Sequence, residues 1–241
     1  MLIIGHRGAK NEAPENTVES FVHAQNNGCL HFELDIQLSL DLELIVYHDP
    51  SLKRTCGIKG FIRDFDLDEL SKTDARHNTP GWEFPCYIPT LQSVVDSVPQ
   101  TLSWQFEVKP DSKERVDDIV TKLLEFIRVN ELKNKVTITS SSQYFLKEVR
   151  LKSDIDLGLV QEFPHMNSAS DAAKLSCKLL VLNQKLATPR RVQHAIGLGL
   201  EVSCWTINSP ERIIEFEKIG VASFITDEPS KTIRFFSKKY L

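Results

Sequence analysis

Three short stretches of this chain place chemically able residues at spacings that aim them together. His6-Arg7-Gly8 ends an apolar run, Glu33 and Asp35 stand two apart, and Glu107 and Lys109 repeat that spacing. Residues two apart in a strand share one face. The charges lie in or at the ends of otherwise apolar runs, where an unpaired charge is costly to bury. Glu33, Asp35 and Glu107 supply hard oxygen ligands, which suit Mg²⁺ or Ca²⁺ rather than zinc. Arg7 and Lys109 supply positive charge, and an arginine can grip a phosphate through two hydrogen bonds. Histidine is the side chain suited to proton transfer near neutral pH, so His6 and His48 can divide the acid and base roles. A divalent cation, fixed charges and two imidazoles together describe phosphoryl transfer on an ester.

Short β-rich runs alternating with helical patterns must position these residues. The strand-like runs are 2–5, 32–38, 43–47, 104–108, 136–139, 156–160, 179–182, 200–206 and 223–226. Asn16 with Glu19 predicts a capping box opening a helix over 17–27. Thr188-Pro189 and Ser209-Pro210 each set an N-cap before a first-turn proline. Val116, Ile119, Val120, Leu123, Leu124 and Ile127 recur at helical spacing. Strands alternating with such helices imply parallel βα units. The gap between residues 38 and 43 is too short for a crossover helix, so 32–48 predicts an antiparallel hairpin turning at Asp41-Leu42. Without its returning arm, eight strands remain. The predicted fold is an α/β (β/α)8 TIM-type barrel in a single domain, 1–241, with an open doubly wound sheet as the alternative. Its active site belongs at the C-terminal ends of the strands. A turn centred between 41 and 42 sets His48 opposite Asp35, with Cβ atoms ~4.5–5.5 Å apart. The least regular stretch, 51–88, reads as an excursion above the mouth that lids the cleft.

Composition narrows the partners. Lys and Arg number 29 against 33 acidic residues, for a formal charge of −4, with no long single-sign block. That balance gives no support to nucleic-acid or anionic-membrane binding. No apolar run reaches the ~18 residues of a membrane span, and the N-terminus lacks a leader pattern. The expectation is a cytoplasmic globule acting on a small molecule, without stable membrane insertion. Five cysteines without metal-ligand spacing read as reduced thiols.

An ordered series of motifs then resembles a known family. His6-Arg7-Gly8-Ala9, Pro14-Glu15-Asn16-Thr17, Glu33-Leu34-Asp35-Ile36-Gln37 and His48-Asp49 are similar to the signature blocks of glycerophosphodiester phosphodiesterases. Ile88-Pro89-Thr90-Leu91, Glu107-Val108-Lys109, Trp205-Thr206-Ile207-Asn208 and Thr226-Asp227-Glu228-Pro229 continue the series in order. The resemblance implies a phospholipase-C-like barrel that hydrolyses glycerophosphodiesters to sn-glycerol 3-phosphate and an alcohol. By it, Glu33, Asp35 and Glu107 bind a divalent cation, Mg²⁺ or Ca²⁺. His6 and His48 form the acid–base pair, Arg7 and Lys109 hold the phosphate, and Trp205 walls the substrate cleft. Direct attack by water and prior attack by the glycerol 2-hydroxyl both fit these residues. Asp41-Leu42 departs from the family's usual Asp-Gly, which strains a type I′ turn.

Plainer readings stand beside these. Glu33 and Asp35 could serve as internal salt-bridge partners of Arg7 and Lys109, and Trp205 could be core. Asn16 explains the Pro14–Thr17 block as a helix start, and Asp227 reads as a cap outside the site. His23, His31, His77, His165 and His194 lack motif context and read as structural. Ile233, Phe235 and Phe236 read as a last helix on the barrel. The rival functions are a lysophospholipase-D-like enzyme on the same barrel and a catalytically inactive binding barrel.

Overall fold

Apolar and β-branched runs become strands within one or two residues of their expected limits. A computed structural model of the chain describes residues 1–79, 81–164 and 168–239; His165 lies outside them. The strands are β1 (Leu2–His6), β2 (His31–Leu38), β3 (Leu44–Val46), β4 (Ser103–Val108) and β5 (Val136–Ser140). They continue as β6 (Asp156–Gln161), β7 (Leu179–Asn183), β8 (Glu201–Trp205) and β9 (Ser223–Thr226). All but β3 are joined by parallel pairings, and β1 pairs with both β2 and β9, closing an eight-stranded barrel. β3 runs antiparallel against β2.

Helices fill the crossovers. α1 (Val18–Asn26) follows β1, and α2 (Lys53–Cys56), α3 (Leu67–Leu70) and α4 (Leu91–Ser97) lie between β3 and β4. One helix then follows each strand: α5 (Val116–Val129), α6 (Gln143–Lys152), α7 (Ser168–Lys174), α8 (Pro189–Gly197), α9 (Pro210–Lys218) and α10 (Pro229–Lys239). α5 buries the stripe its periodicity predicts, and the Thr188 and Ser209 hydroxyls cap α8 and α9. α1 starts otherwise. Its N-cap is Thr17, whose hydroxyl accepts from the Ser20 amide, and Asn16 stands outside the helix at φ 57°. Asparagine tolerates that left-handed conformation, and its side chain is drawn to a buried carboxylate instead.

The hairpin exists, but its register is one residue off the expected one. Ile36 pairs with Val46 and Leu38 with Leu44, so Tyr47, not His48, stands beside Asp35. The cause is the turn. The Leu42 amide donates to the Ser39 carbonyl, Leu42 takes φ 64°, and the Ser39 amide donates to the Glu43 carbonyl. The loop is therefore centred on Asp41 rather than between 41 and 42. A leucine in the left-handed region costs about 1–2 kcal/mol. The Asp41 carboxylate offsets part of this by accepting from the Ser39 hydroxyl and the Leu67 amide.

The barrel interior is divided. Ile4, Val160, Leu179, Val181 and Ile225 form an apolar cluster, with Leu2 and Trp205 packed against it. The wall of β1, β2 and β4 instead buries His6, Glu33, Asp35 and Gln105. A larger core lies between sheet and helices and includes Phe236 of α10, while Phe235 stays partly exposed. The 51–88 excursion is more regular than expected. Ile45 and Tyr47 join Leu52, Ile62, Leu70, Ala75 and Ile88 in a small core of their own. Among the described residues, no helix is long and apolar enough to cross a membrane.

Candidate active site

Strand register assembles the carboxylates. His6 lies level with Glu33, and Asp35 with Glu107 on the neighbouring strand. One oxygen each of Glu33, Asp35 and Glu107 lies within 4.8 Å of the others. Asp35 is flanked by cations: Arg7 Nε is 3.1 Å from Oδ2 and Lys109 Nζ is 3.2 Å from Oδ1. Asn16 donates to Asp35 Oδ2 at 2.9 Å, and Lys109 donates to Glu107 Oε1 at 2.6 Å. Burial alone would raise the Asp35 pKa; Arg7 and Lys109 outweigh it and hold the carboxyl below the usual range. Glu33 goes the other way. Burial and the charges of Asp35 and Glu107 push its pKa well above the usual value, and burial raises Glu107 too.

An internal salt-bridge set therefore accounts for Asp35 but not for Glu33. Glu33 Oε2 accepts from the Arg7 amide at 3.2 Å, whereas its buried Oε1 accepts no hydrogen bond. Such atoms are costly unless something pairs with them. Three hard oxygen donors on rigid strands, one of them with an unpaired buried oxygen, fit a divalent cation.

Each histidine is held at Nδ1 by a carboxylate. His6 Nδ1 is 2.5 Å from Asp227 Oδ1, and its Nε2 lies 3.8 Å from Glu33 Oε2. Asn208 fixes Asp227 by donating to Oδ2 and accepting from its amide. Burial, with Arg7 adding, lowers the His6 pKa to about 4 against the pull of Asp227. His48 Nδ1 is 2.6 Å from Asp49 Oδ1. The Gln37 amide donates to the Tyr47 and Asp49 carbonyls, at 2.8 Å each, and so bends the chain that carries His48 toward the mouth.

A narrow pocket is lined by His6, Arg7, Glu33, His48, Glu107, Lys109 and Trp205. Of the residues picked from the sequence, Asp35 alone is outside this lining; its side chain is completely buried. Trp205 lines the pocket and also packs on the interior apolar cluster. Arg7 turns back from β1 at φ 51°, and Gly8 follows where a Cβ would collide with the backbone of α1 at Ser20.

Several site residues were not picked from sequence. Asp227 is the partner of His6, not merely a cap outside the site. Glu15, read as part of a helix start, is buried and accepts from Arg7 Nη1 at 2.6 Å. Both lie inside motif blocks, which was the available signal. Glu162 also lines the pocket and carried none.

Carboxylates, fixed cations and two imidazoles gathered at the mouth of a parallel barrel are the group types that phosphoester cleavage uses. Comparison with known proteins narrows this chemistry. The model of the glycerophosphoryl diester phosphodiesterase family matches residues 6–231, and the chain belongs to that family of enzymes. A glycerophosphodiester phosphodiesterase of Caldanaerobacter subterraneus is 30% identical, covering 98% of each chain. Human lysophospholipase D GDPD1 is 23% identical over 95% of this chain and 83% of its own. Among solved structures, a phosphodiesterase of Oleispira antarctica, in complex with the product sn-glycerol-3-phosphate, superposes with a TM-score of 0.90. That likeness, at 23% identity over 98% of this chain and 97% of the other, concerns the fold.

Proposed function

We propose that this enzyme hydrolyses glycerophosphodiesters to sn-glycerol 3-phosphate and an alcohol in a reaction that depends on Mg²⁺ or Ca²⁺. The observation that carries the reading is a three-carboxylate cluster with an unpartnered buried oxygen on Glu33, beside a pocket that Glu33 and Glu107 line together with two histidines anchored at Nδ1. The family and the named relatives support the substrate class. Glu33, Asp35 and Glu107 would hold the cation, which when bound supplies positive charge to a phosphoryl oxygen.

The remaining chemistry belongs to side chains. Asp227 takes the proton-bearing Nδ1 of His6, and a pKa near 4 keeps the ring neutral at pH 7, so Nε2 is free to accept a proton. His48, with Nδ1–H held by Asp49, would act in its doubly protonated form, giving the Nε2 proton to the departing alkoxide and returning to the neutral ring. Arg7 and Lys109 hold the phosphate, and Trp205 offers an apolar wall to the substrate's carbon skeleton. Five free thiols suit a reducing compartment, and we place the reaction in the cytoplasm.

The test incubates the protein with glycerophosphocholine or glycerophosphoethanolamine and Mg²⁺ or Ca²⁺, with EDTA as control. Released glycerol 3-phosphate is coupled to its dehydrogenase. Metal-dependent product is expected. No product from any glycerophosphodiester overturns the reading, and turnover of lysophosphatidylcholine alone transfers it to the lysophospholipase D chemistry named for the human relative. Titration calorimetry with the cation should find binding largely intact in His48→Ala and lost in Glu33→Ala.

A further inference from the structure

The excursion sends one side chain back to the site. Arg54, on the single turn α2, uses two edges of its guanidinium. Nε and Nη2 donate to Asp49 at 2.7 and 3.0 Å, and Nη1 and Nη2 donate to Glu15 at 2.6 and 2.8 Å. Asp49 in turn holds His48, and Glu15 holds Arg7, which lies against Asp35. Six alternating charged or titratable groups thus run from one side of the pocket to the other, Asp35–Arg7–Glu15–Arg54–Asp49–His48, with Arg54 bridging the two halves.

We propose that Arg54 is a positioning residue that sets His48 through Asp49 and Arg7 through Glu15 at the same time. This rests on the roles given above to His48 and Arg7. Packing encloses His48 less than His6: its side chain is 32% exposed, against 6% for His6. Its orientation depends on Asp49, and Asp49 depends on the clamp. The plainer reading is a stabilising surface ion pair. Arg54 is 38% exposed, and exposed ion pairs add little stability, yet its four hydrogen bonds converge on the two carboxylates that hold His48 and Arg7. Glu15, only 3% exposed, balances two guanidinium groups, so losing Arg54 also leaves Arg7 with an unshared carboxylate. A lysine cannot replace this geometry, because an ammonium has no planar fork to meet two carboxylates.

The test compares Arg54→Ala, Arg54→Lys, Asp49→Asn and the double variant Arg54→Ala/Asp49→Asn. Arg54→Ala should lower kcat by ~10–10²-fold with KM within about threefold, as expected for misplacement rather than lost binding. Arg54→Lys should recover little of this, and guanidinium ion added to Arg54→Ala should restore part of kcat. The double variant should lose much less than the product of the two single losses. By NMR, the His48 Nδ1 proton resonance should broaden or vanish in Arg54→Ala while that of His6 persists. Unchanged kcat in folded Arg54→Ala, full activity in Arg54→Lys, multiplying losses or an unmoved His48 signal would each overturn the proposal. If the unaltered enzyme turns over no glycerophosphodiester, the functional reading fails, and the NMR arm still decides what Arg54 does to His48.

Discussion

The two histidines reach the same pocket by opposite means. His6 ends a central barrel strand, is buried, and takes its carboxylate from Asp227, 221 residues away. His48 follows a three-residue edge strand, is a third exposed, and takes its carboxylate from the adjacent Asp49. Closure of the barrel positions the first; a local loop and a clamp from the excursion position the second. The difference teaches that one site can combine a group held by the global fold with one held by a small accessory unit. The two should then fail differently.

The largest effect is expected at the imidazoles. His6→Ala and His48→Ala should each cut kcat by ~10²-fold or more. Imidazole added to the buffer should restore activity to His48→Ala, whose site is open, and not to His6→Ala. Equal rescue in steady-state assays would erase the contrast.

Acid should strain both arms. Burial would raise the Glu15 pKa, but Arg54 and Arg7 outweigh it and lower it to about 2; Asp227 is likewise lowered to about 2, against burial, chiefly by His6. A carboxylate with a depressed folded-state pKa stabilises the protein above its unfolded value. That contribution is lost as pH falls through the folded one. For Glu15 the window is roughly pH 4.5 to 2, and its size is about 3 kcal/mol. Denaturant titrations across this range should show a shallower decline in Glu15→Gln than in the unaltered chain.

The smallest effect separates the supporting carboxylates. Asp227→Asn leaves a buried imidazole with a poorer partner and should cost about 1–3 kcal/mol of stability. Asp49→Asn, at a more exposed site, should cost under about 1 kcal/mol while still lowering kcat. Thermal melts of the two variants, read beside their turnover, check this.

The same contrast marks what could be read from sequence. Alternation and run length located the nine strands among the described residues, and spacing two apart located Glu33, Asp35, Glu107 and Lys109, because a strand's geometry is periodic. His48 was found with the wrong neighbour. The hairpin register turns on whether the loop centres on Asp41 or beside it, and Leu42 accepts a left-handed conformation that its side chain disfavours. Asp227 and Glu15 escaped because their meaning lies in partners brought close only when the barrel closes and the excursion folds back. Nothing periodic joins Glu15 to Arg54, 39 residues on.

The small core shared by the hairpin and the 51–88 excursion has a kinetic consequence. Seven buried residues, apart from the main core, form a unit that can open while the barrel stays closed. Opening would carry Arg54 away from Asp49 and Glu15. Amides of the excursion should then exchange with solvent sooner than those of the barrel strands, and rising denaturant should silence the enzyme before the barrel unfolds.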